Sequence, residues 1–457
     1  MSLPRYRQYK NSGVEWLGTI PTHWHVGRFK ASIISCRNGI WGSEATGDTN
    51  DIACVRVADF DRTAFAVKSE ISTIRNVSQS ERAERLLTRG NLLLEKSGGG
   101  ENQPVGQVVI YNLDIPAVCS NFVAKMELAP EMFPAYWNYV HAAAYSARLN
   151  VGSINQTSGI QNLDQTRYFD ERAPFPPIDE QEAIAAFLDH ETSKIDALIA
   201  EQEKLLELLA EKRHATISHA VTRGLNPDVP MKDSGVEWLG EVPQHWAVQS
   251  IKHLVSVPIT DGPHETPNFL DEGIPFVSAE AVSGGFINFE KIRGYISTED
   301  HQRYSAKYKP QLNDIYMVKS GATTGVTAIV ESDTEFNIWS PLAAIRCDKQ
   351  KAEPYFVLAA LRSRNFQEGV TLNWRFGTQQ NIGMGVLGDL RIALPPLSEQ
   401  REIAAFLALE TPKLDVLSVE AERMIALLKE RRSALIAAAV TGKIDVREHS
   451  SVLAAAA

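Results

Sequence analysis

PPIDEQEAIAAFLDHETSKIDALIAEQEKLLELLAEKRHATISHAVT (residues 176–222) returns without a gap as PPLSEQREIAAFLALETPKLDVLSVEAERMIALLKERRSALIAAAVT (residues 395–441). In the first copy apolar residues recur at spacings of three and four, at Ile184, Leu188, Ile195, Leu198, Leu205 and Leu209, with Glu191, Gln202, Lys212, Thr216 and His219 interrupting. The same register in the second copy gives Ile403, Leu407, Leu414, Leu417, Ala421, Met424, Leu428, Leu435 and Ala438, with only Glu410 and Arg431 polar. This spacing predicts a heptad seam on each of two long helices. Asp179 followed by Glu182 reads as a capping box, Ser398 as an N-cap behind two prolines, and Gly224 and Gly442 as stops. A helix of about 44 residues spans ~65 Å at ~1.5 Å per residue. Alone it cannot bury its seam. Two copies in one chain predict that the helices pack on each other as an antiparallel coiled coil about a pseudo-twofold axis.

A second repeat stands ahead of each helix. SGVEWLGTIPTHWHV (12–26) matches SGVEWLGEVPQHWAV (234–248) at 11 of 15 positions. The 457-residue chain therefore reads as two tandem halves of one design. The boundaries expected are a first globular domain at 1–175, a central spacer helix at 176–223, a second globular domain at 224–394, a distal spacer helix at 395–444 and a tail at 445–457. Short strands fall in matched order: DIACVRVADF (51–60), NLLLEK (91–96), VGQVVIY (105–111) and NFVAKMEL (121–128) against GIPFVSAEAV (273–282), DIYMVKS (314–320), GVTAIVE (325–331) and LAAIRCD (342–348). Helices at 134–149 and 354–370 follow each set. The fold class expected is α+β, with two similar globular domains joined by the paired helices. Between the repeats identity nearly vanishes apart from islands such as EKSGG (95–99) against VKSGA (318–322). One frame thus carries two different surfaces.

Apolar content of 44% and charged content of 22% are those of an ordinary water-soluble chain. No run approaches the 18 or so apolar residues of a membrane span, and the first ten residues lack a signal peptide's apolar stretch, so the cytoplasm is the compartment expected. Cys36, Cys54, Cys119 and Cys347 show no metal-ligand spacing and read as reduced, packed thiols. Net charge is −10, and only residues 1–178 are marginally positive, with 18 Lys/Arg against 17 Asp/Glu. Such a chain does not hold nucleic acid by charge alone.

No catalytic or cofactor motif emerges. SGATTG (320–325) and SGGGENQPVG (97–106) lack the lysine of a phosphate-binding loop, and no glycine fingerprint opens a long helix, so no cofactor is expected. The repeated His23-Trp24 and His245-Trp246 read as packed corners.

A near-identical frame with divergent inserts is what reading two different things at a fixed separation requires. On PPIDEQEAIAAFLDHET, PPLSEQREIAAFLALET, the QN pairs Gln161-Asn162 and Gln380-Asn381, and SGVEWLG…P.HW, the chain resembles the specificity subunit of type I restriction-modification systems over about residues 3–444. The resemblance implies two target-recognition domains on double-stranded DNA, a spacer coiled coil, and partnership with two modification (methyltransferase) subunits and with restriction (ATP-dependent translocase/nuclease) subunits. Those partners would hold the chemistry: PFPPI and LPPL lack the polar first and aromatic last residues of an amino-methyltransferase tetrapeptide. A stand-alone DNA-binding regulator and a coiled-coil scaffold without a DNA role remain the alternatives.

Loop residues able to bond base edges or phosphates are the DNA-binding candidates. In the first half these are Arg37, Asn38, Trp41, Arg56, Lys96, Ser97, Asn155 and Gln156. In the second they are Thr260, His264, Thr266, Lys319, Ser320, Arg375, Gln379 and Gln380. Lys96 and Lys319 stand at equivalent points, each before a Ser-Gly that lets backbone amides approach a phosphate.

Overall fold

A computed structural model describes residues 4–156, 159–373 and 381–448. The chain divides into two compact units, residues 1–202 with 423–457, and residues 203–422. Each long helix gives one half to each unit: the central helix runs Ile178–Arg223 and the distal helix Leu397–Val440.

Both helices begin directly after a Pro-Pro pair, so Asp179 falls in the first turn and is not the N-cap; Ser398 likewise lies inside its helix. The start is tied by a glutamine instead. Gln181 Oε1 accepts the Phe133 amide at 2.9 Å, and its Nε2 donates to the carbonyls of Glu131 and Pro176. Gln400 does the same with the Glu353 amide at 2.8 Å and the carbonyls of Lys351 and Pro395. Both glutamines are buried, so each satisfies its full amide at the junction of helix and globular part. Gly224 (φ 79°) and Gly442 (φ 70°) end the helices in the left-handed region that glycine tolerates.

Within each unit the helices pair antiparallel. In the first, Ile195, Ile199 and Leu428 form a buried cluster with Ile425 and Leu435 against it. In the second, Ile217, Ala220 and Val221 share a core with Ile403 and Leu407. The buried stripe keeps the expected register at Ile184, Leu188, Ile195 and Leu209 and at Ile403, Leu407, Leu414, Ala421 and Leu428, but not throughout: Ile199 is buried whereas Leu198, Leu205, Leu417 and Met424 are 52%, 40%, 51% and 47% exposed. A real helix turns in 3.6 residues, so a stripe begun at Ile184 drifts off a strict 3.5 repeat. Two seam positions hold arginine. Arg432 donates to Asp196 (Nε–Oδ1 2.8 Å), and Arg213 to Asp415 (Nε–Oδ1 2.7 Å). Asp196 and Asp415 are 219 residues apart, as are Arg213 and Arg432. One interaction is thus made twice, as residue i on j and j on i, the pattern of a twofold interface.

The globular part of the first unit is built on a six-stranded sheet in the order 33–38, 123–128, 92–95, 108–110, 66–67, 60–61. Helix Pro134–Ser146 buries Tyr136, Trp137 and Val140 against Phe29, Phe175 and the start of the central helix. The second unit repeats the sheet's centre as 260–261, 342–345, 315–318, 327–329. The helix expected at 354–370 breaks at Ser363, whose hydroxyl caps the second piece, Arg364–Leu372. No described helix is long and apolar enough to cross a membrane.

The SGVEWLG repeat closes the frame. Ser12 N and Oγ both donate to the Gly18 carbonyl, and Ser234 N donates to that of Gly240, with both loop glycines at positive φ. The following His-Trp grips a helix start and a helix stop together. His23 Nε2 and Trp24 Nε1 reach the Glu180 carboxylate at 2.5 and 2.9 Å, while a Cβ on Gly442 would stand 3.0 Å from the Trp24 ring. In the second unit His245 meets Glu399 at 2.8 Å, and a Cβ on Gly224 would stand 3.2 Å from Trp246.

Candidate nucleic-acid interface

One corner recurs in both globular parts. In the first, strand Ile33–Asn38 lies beside Val123–Leu128, which lies beside Leu92–Glu95, so that Asn38 pairs with Ala124 and Lys96 takes the Phe122 carbonyl. Lys96 Nζ then donates to Asn38 Oδ1 at 2.6 Å. In the second, Asp261 pairs with Ala343, Lys319 N donates to the Pro341 carbonyl, and Lys319 Nζ sits 3.2 Å from Asp261 Oδ2. Asn38 to Asp261 and Lys96 to Lys319 are each a step of 223 residues.

The glycine after each Asn or Asp is required by close approach. A Cβ on Gly39 would stand 2.1 Å from the Cys119 carbonyl oxygen, and one on Gly262 1.9 Å from that of Ile338. Sequence reasoning passed over both glycines. The signal was present: Asn-Gly and Asp-Gly carry the same offset as the two Lys-Ser-Gly turns.

The corners differ in charge. The Lys96 ammonium bonds a neutral amide at the surface, beside the exposed Arg37, which pairs with Glu84, and Arg85, which donates to the Asn38 carbonyl. Lys319 is largely buried, its side chain 14% exposed, against a buried Asp261 that also receives Lys307 at 2.6 Å and His264 at 3.1 Å. Burial pushes the Asp261 carboxyl up, but Lys307 and Lys319 outweigh it and hold it below the usual carboxylate range. Both lysines are partly buried, but Lys96 meets a neutral amide while the charge of Lys319 is committed to a carboxylate.

The other candidates distribute as follows. Ser97, Asn162 and Asn155 lie in one row across a three-stranded sheet, with Ser97 Oγ donating to Asn162 Oδ1 at 2.6 Å and Gln156 next along. Asn155 and Gln156 are exposed there. Trp41 lies apart from this row under the Arg75 guanidinium, 4.5 Å from its ring. Arg56 opens a 3-10 turn closed by Asp59. In the second unit Thr260 precedes Asp261, Thr266 is exposed, and Ser320 bridges to Asn381 as Ser97 pairs with Asn162. Arg375, Gln379 and Gln380 lie outside the described residues. Beside the second corner an open cleft is lined by His264, Glu265, Arg303, Tyr304 and Lys307. Among the described residues no group of three or more His, Cys, Asp or Glu is arranged to hold a metal ion.

This duplicated frame matches known proteins. The sequence model of the type I restriction modification DNA specificity domain matches residues 243–409. The EcoBI type I specificity subunit of Escherichia coli is 22% identical over 73% of this chain and 70% of its own length. The putative MjaX specificity subunit of Methanocaldococcus jannaschii is 24% identical over 94% of this chain and 96% of its own. The chain is similar to type I restriction-modification specificity subunits. Solved structures share the fold of this chain. A chain from a study of assembly and conformational transition in a type I R-M system superposes with a TM-score of 0.70 at 16% identity, covering 92% of this chain and 98% of that one. The HsdS subunit from Thermoanaerobacter tengcongensis gives 0.54 at 15% identity, covering 93% and 98%.

Proposed function

We propose that this chain is the DNA-recognition subunit of a type I restriction-modification complex, reading a two-part asymmetric target with one globular part per half-site. The observation that carries the reading is one corner built twice on the same backbone with different side chains: Asn38 and Lys96 in one half, Asp261 and Lys319 in the other. A shared frame orients each reader alike on its half-site, and unlike side chains give unlike half-sites. The paired helices act as the ruler between them.

The chain's own role is binding, and methylation, ATP hydrolysis and cleavage belong to partner subunits. The helices carry a surface suited to two copies of one partner. Leu198, Leu205 and Leu208 on the central helix and Leu417, Met424 and Leu427 on the distal helix are exposed at positions 219 apart. Equivalent apolar rows suit two methyltransferase subunits. Replacing residues 31–150 with the corresponding segment of a relative tests the reading by methylome sequencing. One half of the methylated motif should change and the other stay. A change in both halves would overturn the division of labour.

A further inference from the structure

Opposite the loop of the second corner stands helix Thr298–Ser305, and an open cleft lies between them. Arg303 meets Glu265 there, its Nη2 lying 2.8 Å from Glu265 Oε1. The guanidinium is held in advance. Nη2 donates to Asp300 Oδ1 at 2.6 Å and to Tyr304 OH at 3.0 Å, and the group lies over the Tyr304 ring, 4.8 Å from its centroid. Tyr304 OH in turn donates to Glu265 Oε1 at 2.9 Å. Yet 56% of the Arg303 side chain is exposed, and neither its Nε and Nη1 nor Glu265 Oε2 makes a hydrogen bond among the described residues. An arginine fixed in this way has already given up rotamer freedom that binding would otherwise cost. It presents free donors beside a free acceptor.

The first unit places the same two charges the other way round. Ser78 and Ser297 cap corresponding helices 219 residues apart, and the same step sets Glu84 against Arg303. Glu84 receives the strand residue Arg37, whereas Arg303 meets a loop carboxylate. Donor and acceptor have exchanged sides of one gap, which is what unlike half-sites on a shared frame require.

Charge balance decides between a phosphate and a base. Arg303 and Lys307 line the cleft against Asp261 and Glu265, and each cation is paired, Lys307 with Asp261 at 2.6 Å. A matched wall gains little from a phosphate, whose affinity comes from neutralising charge. A base edge asks for donors and acceptors without net charge. In the major groove guanine shows two adjacent acceptors, N7 and O6, beside the N4 donor of its cytosine, while adenine sets an N6 donor against arginine, which has no acceptor.

We infer that Arg303 and Glu265 together read one G·C pair in the half-site held by the second unit, Arg303 donating to guanine and Glu265 accepting from cytosine N4. This rests on the proposed function and goes beyond it by naming the two readers and the base pair. Asp300 and Tyr304 are positioning residues that aim the guanidinium.

The test is methylome sequencing of cells carrying the full chain with its modification partner, joined to band shifts of the purified complex. The half of the motif that exchanging residues 31–150 leaves unchanged should contain the G·C pair. Arg303→Ala should lower the preference for that pair at least about tenfold, with the rest of that half and the whole of the other unaltered. Glu265→Gln should relax the same pair, and Arg303→Lys, which keeps a donor for guanine, should retain part of the preference. Should Arg303→Ala lower the melting temperature, Arg303→Lys and Glu265→Gln carry the test. A motif unchanged in every variant would overturn the inference, as would relaxation at different positions for the two residues. Weaker binding of all sequences with the motif unchanged, the mark of a phosphate contact, would overturn it too. A wild-type chain that directs methylation of no two-part motif would overturn the proposed function itself, and this inference with it.

Discussion

Asp196→Ala and Asp415→Ala remove the same atom group from equivalent positions, yet they should differ in cost. Arg432 has its side chain 9% exposed and Asp196 34%, whereas Arg213 and Asp415 are 32% and 52% exposed. Removing Asp196 strands a buried guanidinium, a change that costs about 3 kcal/mol at the lower end of the buried-pair range. Removing Asp415 leaves a guanidinium that water still reaches, and exposed pairs contribute about 0.2–1 kcal/mol. The difference of ~2 kcal/mol corresponds to roughly a thirtyfold change in the local opening equilibrium. Amide hydrogen exchange followed by mass spectrometry resolves it, because peptides covering 184–202 and 423–440 report the first pair and those covering 203–222 and 397–422 the second. Asp196→Ala should accelerate exchange in the first set strongly, and Asp415→Ala should accelerate the second set weakly. The swap Asp196→Arg with Arg432→Asp should recover part of the loss. Equal acceleration at both sites, or none at the first, would refute the argument that burial sets the worth of these pairs.

Acid should weaken the first unit by a defined route. His141 is buried, stacked on Phe29 with Tyr168 OH 2.9 Å from Nδ1, and burial lowers its pKa to about 3. A depressed histidine contributes stability that is fully present above about pH 6.5 and lost as pH falls toward the folded value, up to ~2 kcal/mol by pH 5. Thermal melts of the wild type should show that slope, and His141→Phe should flatten it. At the corner proposed to meet DNA, Lys96→Ala should weaken binding by the assembled complex in band shifts while the methylated motif stays the same, the result expected of a residue that contacts phosphate, which positions without specifying. Lys319→Ala should act through folding: it leaves the buried Asp261 with Lys307 and the exposed His264, so exchange across 260–264 should rise.

The frame was legible because it is written twice. Helix ends at Gly224 and Gly442, the matched strands and the duplicated His-Trp corner all follow from comparing one half with the other. The seam was legible only to within a residue: exposed Leu198 and buried Ile199 are adjacent and equally apolar, and only the true helical pitch separates them. The roles of Gln181 and Gln400 were hidden, since a glutamine after Pro-Pro reads as surface until the carbonyls it caps are in place. The corner was half visible. The Lys-Ser-Gly turns stood out, but the partner of each lysine lies 58 residues away in sequence and came from strand pairing. Nothing in the sequence set the amide-bonded Lys96 apart from the carboxylate-bonded Lys319.

The ruler itself is most directly tested by lengthening it. Inserting four residues in each helix, after Leu205 and after the equivalent Met424, adds ~6 Å at ~1.5 Å per residue. Base pairs stack at ~3.4 Å, so methylome sequencing of cells carrying this variant with its partner subunits should show the gap between half-sites grown, by no more than about two base pairs. The bases on either side should be those of the wild type. An unchanged gap would show that the helices do not set the spacing, and altered half-sites would show that the readers are not independent of it.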